Sequence, residues 1–278
     1  MNEIPPLNIP ALLKQHGLRP SKKLGQNFLQ DPFALASIVS AAEIKPTDTV
    51  LEIGPGLGSL TRYLAQSAQQ VIAVELDSDL IPPLRAVTAA YDNINIIHGD
   101  ILKFSIEELM QEPNYLVVAN IPYYITSAII RRLLENEHKP RRIVLTIQKD
   151  VAKRICAAPG DMSLLALSVQ VYGQPRIAQY IPAGAFFPAP KVDSAVLCID
   201  IYPTPQVKLE LLNTFFKLLK AGFSQKRKTL RNSLSAGLHI PPSEAELFLK
   251  RAGIDPMRRA ETLSIQEWST LASDQQNV

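Results

Sequence analysis

The chain has 278 residues, of which 46% are hydrophobic, and this suffices for one large folded domain with a smaller one attached. Its net charge is only +3, its two cysteines, Cys156 and Cys198, lack the spacing of a metal site, and no apolar stretch approaches the length of a membrane span. These features exclude a disulfide-rich secreted domain and a membrane protein, and we expect a soluble, cytoplasmic protein without a metal ion.

The first predicted strand, residues 50–54, leads into a glycine-rich loop and then into an apolar helical segment at residues 60–65. This order of strand, tight loop and helix is typical of sites for nucleoside cofactors. The glycines are spaced G-x-G-x-G, and Ser59 stands where the dinucleotide fingerprint has its last glycine. A dinucleotide needs its pyrophosphate on the helix N-terminus, whereas S-adenosylmethionine (SAM) has no phosphate and needs only close backbone approach at a glycine such as Gly54. The loop therefore favours SAM, although a plain tight turn has the same composition.

The next two predicted strands also end in carboxylates. Glu75 closes the strand at residues 71–75, and Asp100 follows the strand at residues 94–98. Open α/β sheets bind ligands at the carboxyl ends of their strands. Glu75 is therefore a candidate for ribose hydroxyls and Asp100 for the adenine amine of a cofactor, with Ile101 beside the adenine ring. A helix cap is the alternative interpretation of Asp100.

The fourth predicted strand, residues 115–119, is followed by Asn120-Ile121-Pro122-Tyr123. The Asn120 side chain offers an oxygen that accepts a hydrogen bond from an exocyclic amine, and Tyr123 offers a flat face on which a base can stack. Pro122 stiffens the turn and favours an extended Ile121. The loop indicates a pocket for a planar amine, and a strand-ending turn is the alternative.

The remaining pattern predicts an α/β fold with βα repeats and a small helical appendage. A fifth strand is predicted at residues 142–147, and two more apolar runs, at 176–181 and 194–201, would form an antiparallel hairpin at the edge of the sheet. Pro203 and Pro205 mark a boundary between domains at 1–202 and 203–278. Helices are predicted at residues 209–219, 228–235, 243–252 and 265–272, with Ser243 and Glu246 as a capping box.

Charge is distributed unevenly between the two predicted domains. Residues 1–200 carry 18 Lys and Arg against 19 Asp and Glu, and residues 201–278 carry 11 against 7. The densest basic cluster, residues 226–228 with Arg231, would suit RNA phosphates. A solvated helix face is the alternative for this cluster.

These motifs, in this order, resemble the SAM-dependent rRNA adenine N6-dimethyltransferases over nearly the whole chain. The C-terminal sequence at residues 223–234 is more similar to the bacterial small-subunit (KsgA-type) branch than to the large-subunit enzymes of antibiotic resistance. The motifs that carry the resemblance are Leu-Gly-Gln-Asn-Phe-Leu at 24–29, Glu-Ile-Gly-Pro-Gly-Leu-Gly at 52–58, Glu75, Gly99-Asp100, Asn120-Ile121-Pro122-Tyr123 and Phe-Pro-Ala-Pro-Lys-Val-Asp-Ser at 187–194.

The resemblance implies a Rossmann-like methyltransferase domain that dimethylates the N6 amines of two adjacent adenosines in the 3'-terminal hairpin of small-subunit rRNA. Its implied partners are this rRNA and the immature small ribosomal subunit, and the protein would be a monomer. The family's SAM contacts fall on Asn27, Leu29, Gly54, Glu75, Asp100 and Asn120. Asn27 and Leu29 lie in a segment, residues 1–32, that we interpret as a cover over the cofactor cleft.

The chemistry expected of this site needs little help from acids or bases. The Asn120 oxygen and a backbone carbonyl of the Ile121-Pro122 turn would accept the two amine hydrogens, while Tyr123 and either Phe187 or Phe186 would enclose the adenine. A dehydrogenase, a large-subunit rRNA methyltransferase and a noncatalytic assembly factor are the competing hypotheses. The first leaves the Asn120 loop without a role.

Overall fold

The computed structural model describes residues 4–276 of the chain. Contacts group these residues into two compact units. The first comprises residues 4–152 and Pro175–Ile201, and the second comprises Lys153–Gln174 and residues 202–276.

The predicted boundary between residues 202 and 203 differs from this grouping at Tyr202, which belongs to the second unit, and in the segment Lys153–Gln174. Within the second unit, the ring of Tyr172 stacks on that of Phe216 with 6.3 Å between their centroids. This aromatic contact explains why a segment that precedes the last strands groups with the C-terminal helices.

The described residues contain nine strands. They are β1 (Phe28–Leu29), β2 (Thr49–Ile53), β3 (Gln70–Glu75), β4 (Ile94–His98), β5 (Leu116–Asn120), β6 (Arg142–Gln148), β7 (Gly173–Ile181), β8 (Phe186–Phe187) and β9 (Ser194–Ile201). Seven of them form one sheet in the order β4-β3-β2-β5-β6-β9-β7, and β1 pairs with β8 in a separate antiparallel ribbon.

The large sheet is parallel from β4 to β6, and β9 joins it antiparallel to β6 with β7 beside it at the edge. The predicted adjacency of the last two strands is thus confirmed. Strand order runs outward in opposite directions from β2 and β5, so the topological switch point lies between these two strands. Open α/β sheets bind ligands at this point, outside the carboxyl ends of the strands.

The middle of the sheet is covered on both faces, as purely parallel strands require. Leu116, Val117, Val118 and Ala119 of β5 have no exposed surface. Such continuous runs of aliphatic residues explain why these strands are visible in the sequence.

The described residues also contain twelve α-helices. They are α1 (Ile9–Gln15), α2 (Pro32–Ala42), α3 (Ser59–Ser67), α4 (Ile81–Thr88), α5 (Ile106–Leu109), α6 (Thr126–Leu134), α7 (Lys149–Ile155), α8 (Leu164–Gln170), α9 (Leu212–Gly222), α10 (Leu230–Leu238), α11 (Pro242–Arg251) and α12 (Ile265–Gln276). Within this part of the chain, no helix is both long and apolar enough to cross a membrane.

Helix α2 shows how local sequence starts an element of the first unit. Asp31 accepts a hydrogen bond from the backbone N–H of Ala34 at 2.8 Å, and Pro32 occupies the first helical turn. An aspartate N-cap followed by proline satisfies the free N–H groups of that turn and presets its backbone. This cap marks the point at which the segment containing β1 ends and helix α2 begins.

The helices of the second unit approach one another closely at two glycines. A Cβ atom on Gly222 of α9 would overlap the indole of Trp268 in α12, and one on Gly237 of α10 would overlap Ala221 of α9. Trp268 is fully buried. The absence of side chains at these glycines therefore lets a small helical unit enclose a large aromatic core.

The predicted capping box of Ser243 and Glu246 is wrong. Helix α11 begins at Pro242, and among the described residues no side chain caps its first turn. Glu246 instead forms ion pairs with Lys250 at 2.7 Å and with Arg231 at 3.2 Å. Proline at the first helical position has no N–H, which reduces the need for a cap.

Candidate active site

A cavity opens in the first unit at the switch point of the sheet. It is lined by every residue that the sequence places in the site except Phe187. The lining residues of this set are Asn27, Leu29, Gly54, Glu75, Asp100, Ile101, Asn120, Ile121, Pro122 and Tyr123. The carboxyl ends of β2, β3, β4 and β5 thus bring together residues that lie far apart in the chain.

The loop after β2 presents backbone to this cavity. Gly54 has φ = +69°, and a Cβ atom placed on it would meet no other atom within 4 Å. Packing of the protein therefore does not explain the glycine, and its missing side chain leaves room for a ligand to approach the backbone.

Glu75, at the end of β3, organises the same loop. Its Oε2 accepts a hydrogen bond from Gly56 N at 2.9 Å, and its Oε1 accepts one from Asp77 N at 2.8 Å. Burial raises the pKa of this carboxyl group, and the two backbone hydrogen bonds oppose that effect. Each carboxylate oxygen has a further lone pair, so Glu75 can hold the loop and still accept from ligand hydroxyls.

A second carboxyl group, Glu52 of β2, lines the cavity and was not singled out from the sequence as a site residue. Only 1% of its surface is exposed, and its Oε2 has no hydrogen-bond partner among the described residues. Burial raises the pKa of Glu52 from 4.5 to about 8, and the nearby charge of Glu75 acts in the same direction. Glu52 is therefore mostly protonated at neutral pH, which removes one negative charge from the cavity wall.

Asp100 serves as a turn cap and also faces the cavity. Its Oδ1 accepts a hydrogen bond from Leu102 N at 3.0 Å. This is the kind of contact expected from the alternative interpretation of Asp100 as a cap. The same side chain lines the cavity beside Ile101. Oδ2 makes no hydrogen bond within residues 4–276 and is available as an acceptor for a ligand amine.

The carboxamide of Asn120 is oriented by the N-terminal segment. Its Nδ2 donates a hydrogen bond to the backbone carbonyl of Asn27 at 3.1 Å. The amide nitrogen is thus engaged, and this hydrogen bond assigns the Oδ1 atom to the opposite side of the carboxamide. Asn27 is itself held, because its Nδ2 donates to the Gly25 carbonyl at 3.1 Å.

Tyr123 follows in a short 3₁₀ turn, Tyr123–Ile125, and is anchored from a distant strand. Its hydroxyl lies 2.7 Å from Oγ of Ser194, which begins β9 and has no exposed surface. Burial raises the pKa of the Tyr123 phenol. The hydrogen bond fixes the far end of the ring, and the ring borders the cavity.

The N-terminal segment is attached to the cavity wall through side chains and through the β1–β8 ribbon. Gln26 Nε2 donates to Asp77 Oδ2 at 2.6 Å. In the ribbon, Phe28 pairs with Phe187, and Leu29 pairs with Phe186. Residues 24–29 line the cavity, as expected if part of the predicted cover, residues 1–32, lies over the cleft.

The ribbon separates the two phenylalanines that were candidates for closing the base pocket. Phe186 lines the cavity, whereas Phe187 packs beside an apolar cluster that includes Phe28 and Leu57. Adjacent residues of a strand point to opposite faces, so the two side chains lie in different surroundings. Of the two, Phe186 lines the cavity and Phe187 does not.

Comparison with known proteins agrees with the motifs. A family model described as ribosomal RNA adenine dimethylase matches residues 17–276. A ribosomal RNA small subunit methyltransferase A from Dehalococcoides mccartyi (strain CBDB1) is 50% identical over 261 residues, which cover 94% of this chain and 90% of that protein. Its counterpart from Alkaliphilus metalliredigens (strain QYMF) is 41% identical over 278 residues, which cover 98% of this chain and 97% of that protein.

Solved structures show the same fold. A dimethyladenosine transferase from Plasmodium falciparum aligns with a TM-score of 0.77 and 28% identity over 88% of this chain and 95% of that chain. The 23S rRNA methyltransferase ErmE aligns with a TM-score of 0.71 and 29% identity over 89% of this chain and 99% of that one. The chain therefore belongs to the ribosomal RNA adenine dimethylase family and is, as predicted, a methyltransferase with a Rossmann-like fold and a helical C-terminal region.

Proposed function

We propose that this protein uses SAM to dimethylate the N6 amines of two adjacent adenosines in the 3'-terminal hairpin of small-subunit rRNA. The substrate would be the immature small ribosomal subunit, met in the cytoplasm by a monomeric enzyme. The observation that carries the proposal is the Asn120 carboxamide at the switch point, whose nitrogen is engaged by the Asn27 carbonyl. The small-subunit target is supported by the names of relatives up to 50% identical.

The cavity wall matches the chemical groups of SAM. Glu75 would accept from the ribose hydroxyls, and Asp100 Oδ2 from the adenine amine beside Ile101. Gly54 would let the cofactor approach the backbone, while Asn27 and Leu29 would cover it from the N-terminal segment. When bound, SAM supplies a methyl group on a positively charged sulfonium. A neutral Glu52 leaves the buried wall with fewer charges to desolvate as the cofactor enters.

The Asn120 loop would hold the target amine. The N6 lone pair of adenine is delocalised into the ring, so catalysis must favour a pyramidal nitrogen whose lone pair points at the methyl group. Two acceptors that bind the amine hydrogens favour that shape, and they bind more tightly as positive charge develops. One is Asn120 Oδ1. The second would be a backbone carbonyl of the Ile121-Pro122 turn, where the Pro122 carbonyl already accepts one hydrogen bond from Ile125 N at 3.2 Å.

The rest of the base would be enclosed by aromatic rings. Tyr123, anchored by Ser194, offers one face, and Phe186 rather than Phe187 would close the other. Holding the base rigidly also supplies the in-line geometry that methyl transfer needs. After transfer the alkylated amine is acidic and loses its proton to water, so no side chain has to act as a general base.

The second unit offers a surface for RNA phosphates. Lys226, Arg227 and Lys228 are exposed and have no acidic partner among the described residues, whereas Arg231 is paired with Glu246 at 3.2 Å. Unpaired cations bind phosphate without first giving up a protein partner. We therefore assign RNA binding to residues 226–228 more than to Arg231.

Transfer of labelled methyl from SAM to small ribosomal subunits lacking dimethyladenosine tests the proposal, with large subunits in parallel and nucleoside analysis of the products. Dimethyladenosine confined to the small subunit is the expected result. Label on the large subunit would assign the protein to the other branch of the family. Binding of small subunits and of SAM without any transfer would leave it as an assembly factor.

A further inference from the structure

One aromatic side chain at the mouth of the cavity has no role in the function proposed above. Tyr124 lines the cavity next to Tyr123, yet 62% of its surface is exposed. The hydroxyl of Tyr123 is bound to Ser194, whereas that of Tyr124 makes no hydrogen bond within the described part of the chain. An exposed ring at the rim of a base pocket needs a physical explanation, because apolar surface favours burial.

The ring of Tyr124 is supported by backbone on one side. Gly25 has φ = +63°, and a Cβ atom on it would lie 3.4 Å from Cε1 of Tyr124 and 3.3 Å from Cβ of Pro122. The turn at Gly25 therefore packs directly against the ring. This contact restricts rotation of the Tyr124 side chain, so its ring offers a fixed aromatic surface.

The same turn carries unpaired positive charge. Gly25 N donates to the Lys22 carbonyl at 3.1 Å, so Lys22 belongs to the turn that packs against Tyr124, and Lys23 follows it. Both lysines are exposed, and neither has an acidic partner among residues 4–276. Two exposed lysines thus precede, in the same turn, the glycine that packs against Tyr124.

We propose that Tyr124, Lys22 and Lys23 form a subsite for the nucleotide next to the target adenosine, with its base stacked on Tyr124 and its phosphate near the lysines. The inference rests on the proposed function. Single-stranded bases bind proteins by stacking on aromatic rings beside basic residues, without requiring a particular base. A base extruded into the Tyr123 pocket draws its neighbour out of the helical stack, and that neighbour would then meet Tyr124.

The subsite would give the second adenosine a defined place while the first is methylated. The two aromatic residues are consecutive in the chain, so their Cα atoms are about 3.8 Å apart, and two consecutive nucleotides would be held by two consecutive side chains. A shift of the strand by one nucleotide would then move the second adenosine from the rim into the pocket.

Steady-state kinetics with small subunits lacking dimethyladenosine test the subsite, using Tyr124→Ala, Tyr124→Phe and the control Tyr180→Ala. Tyr180 is also exposed, at 49%, but does not line the cavity. Loss of one stacked base costs about 1–3 kcal/mol, so Tyr124→Ala should raise KM for subunits about 5- to 150-fold. Tyr124→Phe and Tyr180→Ala should stay near wild type. Affinity for SAM should stay near wild type in every variant, and thermal unfolding checks that each variant is folded.

A second arm tests the lysines by salt dependence. The double variant Lys22→Ala with Lys23→Ala should reduce the slope of log KM against log salt by about 1.4, the value for two phosphate contacts to a single strand. An unchanged slope would remove the lysines from the subsite.

Three results would overturn the role of Tyr124: a KM for Tyr124→Ala within twofold of wild type, a Phe variant as impaired as the Ala variant, or an equal loss of SAM affinity. Wild-type protein that methylates neither subunit would overturn the proposed function and the subsite with it. Wild-type turnover with an unaffected Tyr124→Ala variant would overturn the subsite alone.

Discussion

The side-chain carboxamide of Asn120 could present either its oxygen or its nitrogen to the cavity. A hydrogen bond to the backbone carbonyl of Asn27 fixes which of the two it presents. The Nδ2 atom donates to Asn27 O at 3.1 Å, so rotation that brought nitrogen to the cavity would place Oδ1 against that carbonyl. Two facing acceptors repel each other. An oxygen held in this way would be ready to accept from an amine before any substrate binds, as electrostatic preorganisation requires.

Removal of this acceptor should slow the chemical step. We expect Asn120→Ala to lower kcat for methyl transfer to small subunits by about 10²–10³, as for removal of one preorganised group that meets developing charge. The comparison is Asn213→Ala, an exposed asparagine in helix α9. A kcat within threefold of wild type for Asn120→Ala would assign the amine contact to another group.

Ser194 should act through Tyr123. A hydrogen bond is worth about 0.5–1.5 kcal/mol, so Ser194→Ala and Tyr123→Phe should each lower kcat/KM about 2- to 10-fold. Both variants break the same contact, so the double variant should be no worse than the poorer single variant. Additive losses would show that Ser194 does not position the tyrosine.

Glu52 should make stability depend on pH. Its pKa in the folded protein is about 8 and the ordinary value is 4.5, so its stabilising effect is complete below 4.5 and is lost as pH rises through 8. Over this window the free energy of unfolding should fall by up to about 1.4 kcal/mol per pH unit relative to Glu52→Gln, which cannot ionise. Urea unfolding of both proteins from pH 5 to 8 measures the difference. Parallel pH curves would mean that Glu52 is charged in the folded protein.

Sequence alone finds residues whose local pattern is informative and misses partners supplied by the fold. Glu75 ends one predicted strand and Asp100 follows another, so their place at the carboxyl edge of the sheet is predictable. The serine that binds Tyr123 lies 71 residues further along the chain, and no local pattern reports that contact. Sequence likewise does not show that Glu52 is buried with no hydrogen-bond partner for Oε2 among residues 4–276.

At the scale of elements, the central strands are the most predictable part of the fold. The predicted bounds of β2 to β6 differ from those observed by one residue or less at each end. Continuous aliphatic runs mark the central strands, such as β5, as buried on both faces. The two-residue strands β1 and β8 carry no periodic signal, and the sequence does not reveal their pairing. That ribbon decides which of two adjacent phenylalanines faces the cavity.

Conservative changes in the ribbon should distinguish these phenylalanines. Leucine retains most of the apolar volume but has no aromatic face. We expect Phe186→Leu to lower kcat/KM for small subunits about 5-fold or more, as loss of base stacking requires, and Phe187→Leu to stay within about twofold of wild type. Thermal unfolding of both variants serves as the control for packing. Greater loss in Phe187→Leu would return the stacking role to that residue.

At the scale of the whole chain, the excess of basic residues lies in a different part of the sequence from the predicted SAM and adenine contacts. Residues 1–200, which carry every predicted SAM and adenine contact, have 18 basic and 19 acidic side chains. Residues 201–278 have 11 basic and 7 acidic side chains. The nearly neutral residues 1–200 would bind a small cofactor without a strong field, whereas the excess of cations in residues 201–278 would supply the attraction that RNA requires.

Neutralising the unpaired cluster should therefore weaken RNA binding without affecting the cofactor. We expect the triple change of Lys226, Arg227 and Lys228 to Ala to weaken binding to small subunits and to reduce its salt slope by about 2–3, as for three phosphate contacts. The affinity for SAM should equal that of the wild type. Subunit binding across a salt series and calorimetry with SAM measure the two quantities.

The matched control removes cations that are already paired in the same unit. Lys250 lies 2.7 Å from Glu246, and Arg251 lies 3.1 Å from Asp274. A cation held by a carboxylate must give up that partner before it contacts a phosphate, so Lys250→Ala with Arg251→Ala should change the salt slope by less than about one. If the paired and unpaired sets have equal effects, net charge alone governs binding. A larger effect of residues 226–228 would place RNA phosphates at these three residues. The helical unit would then be the part of the protein that binds RNA.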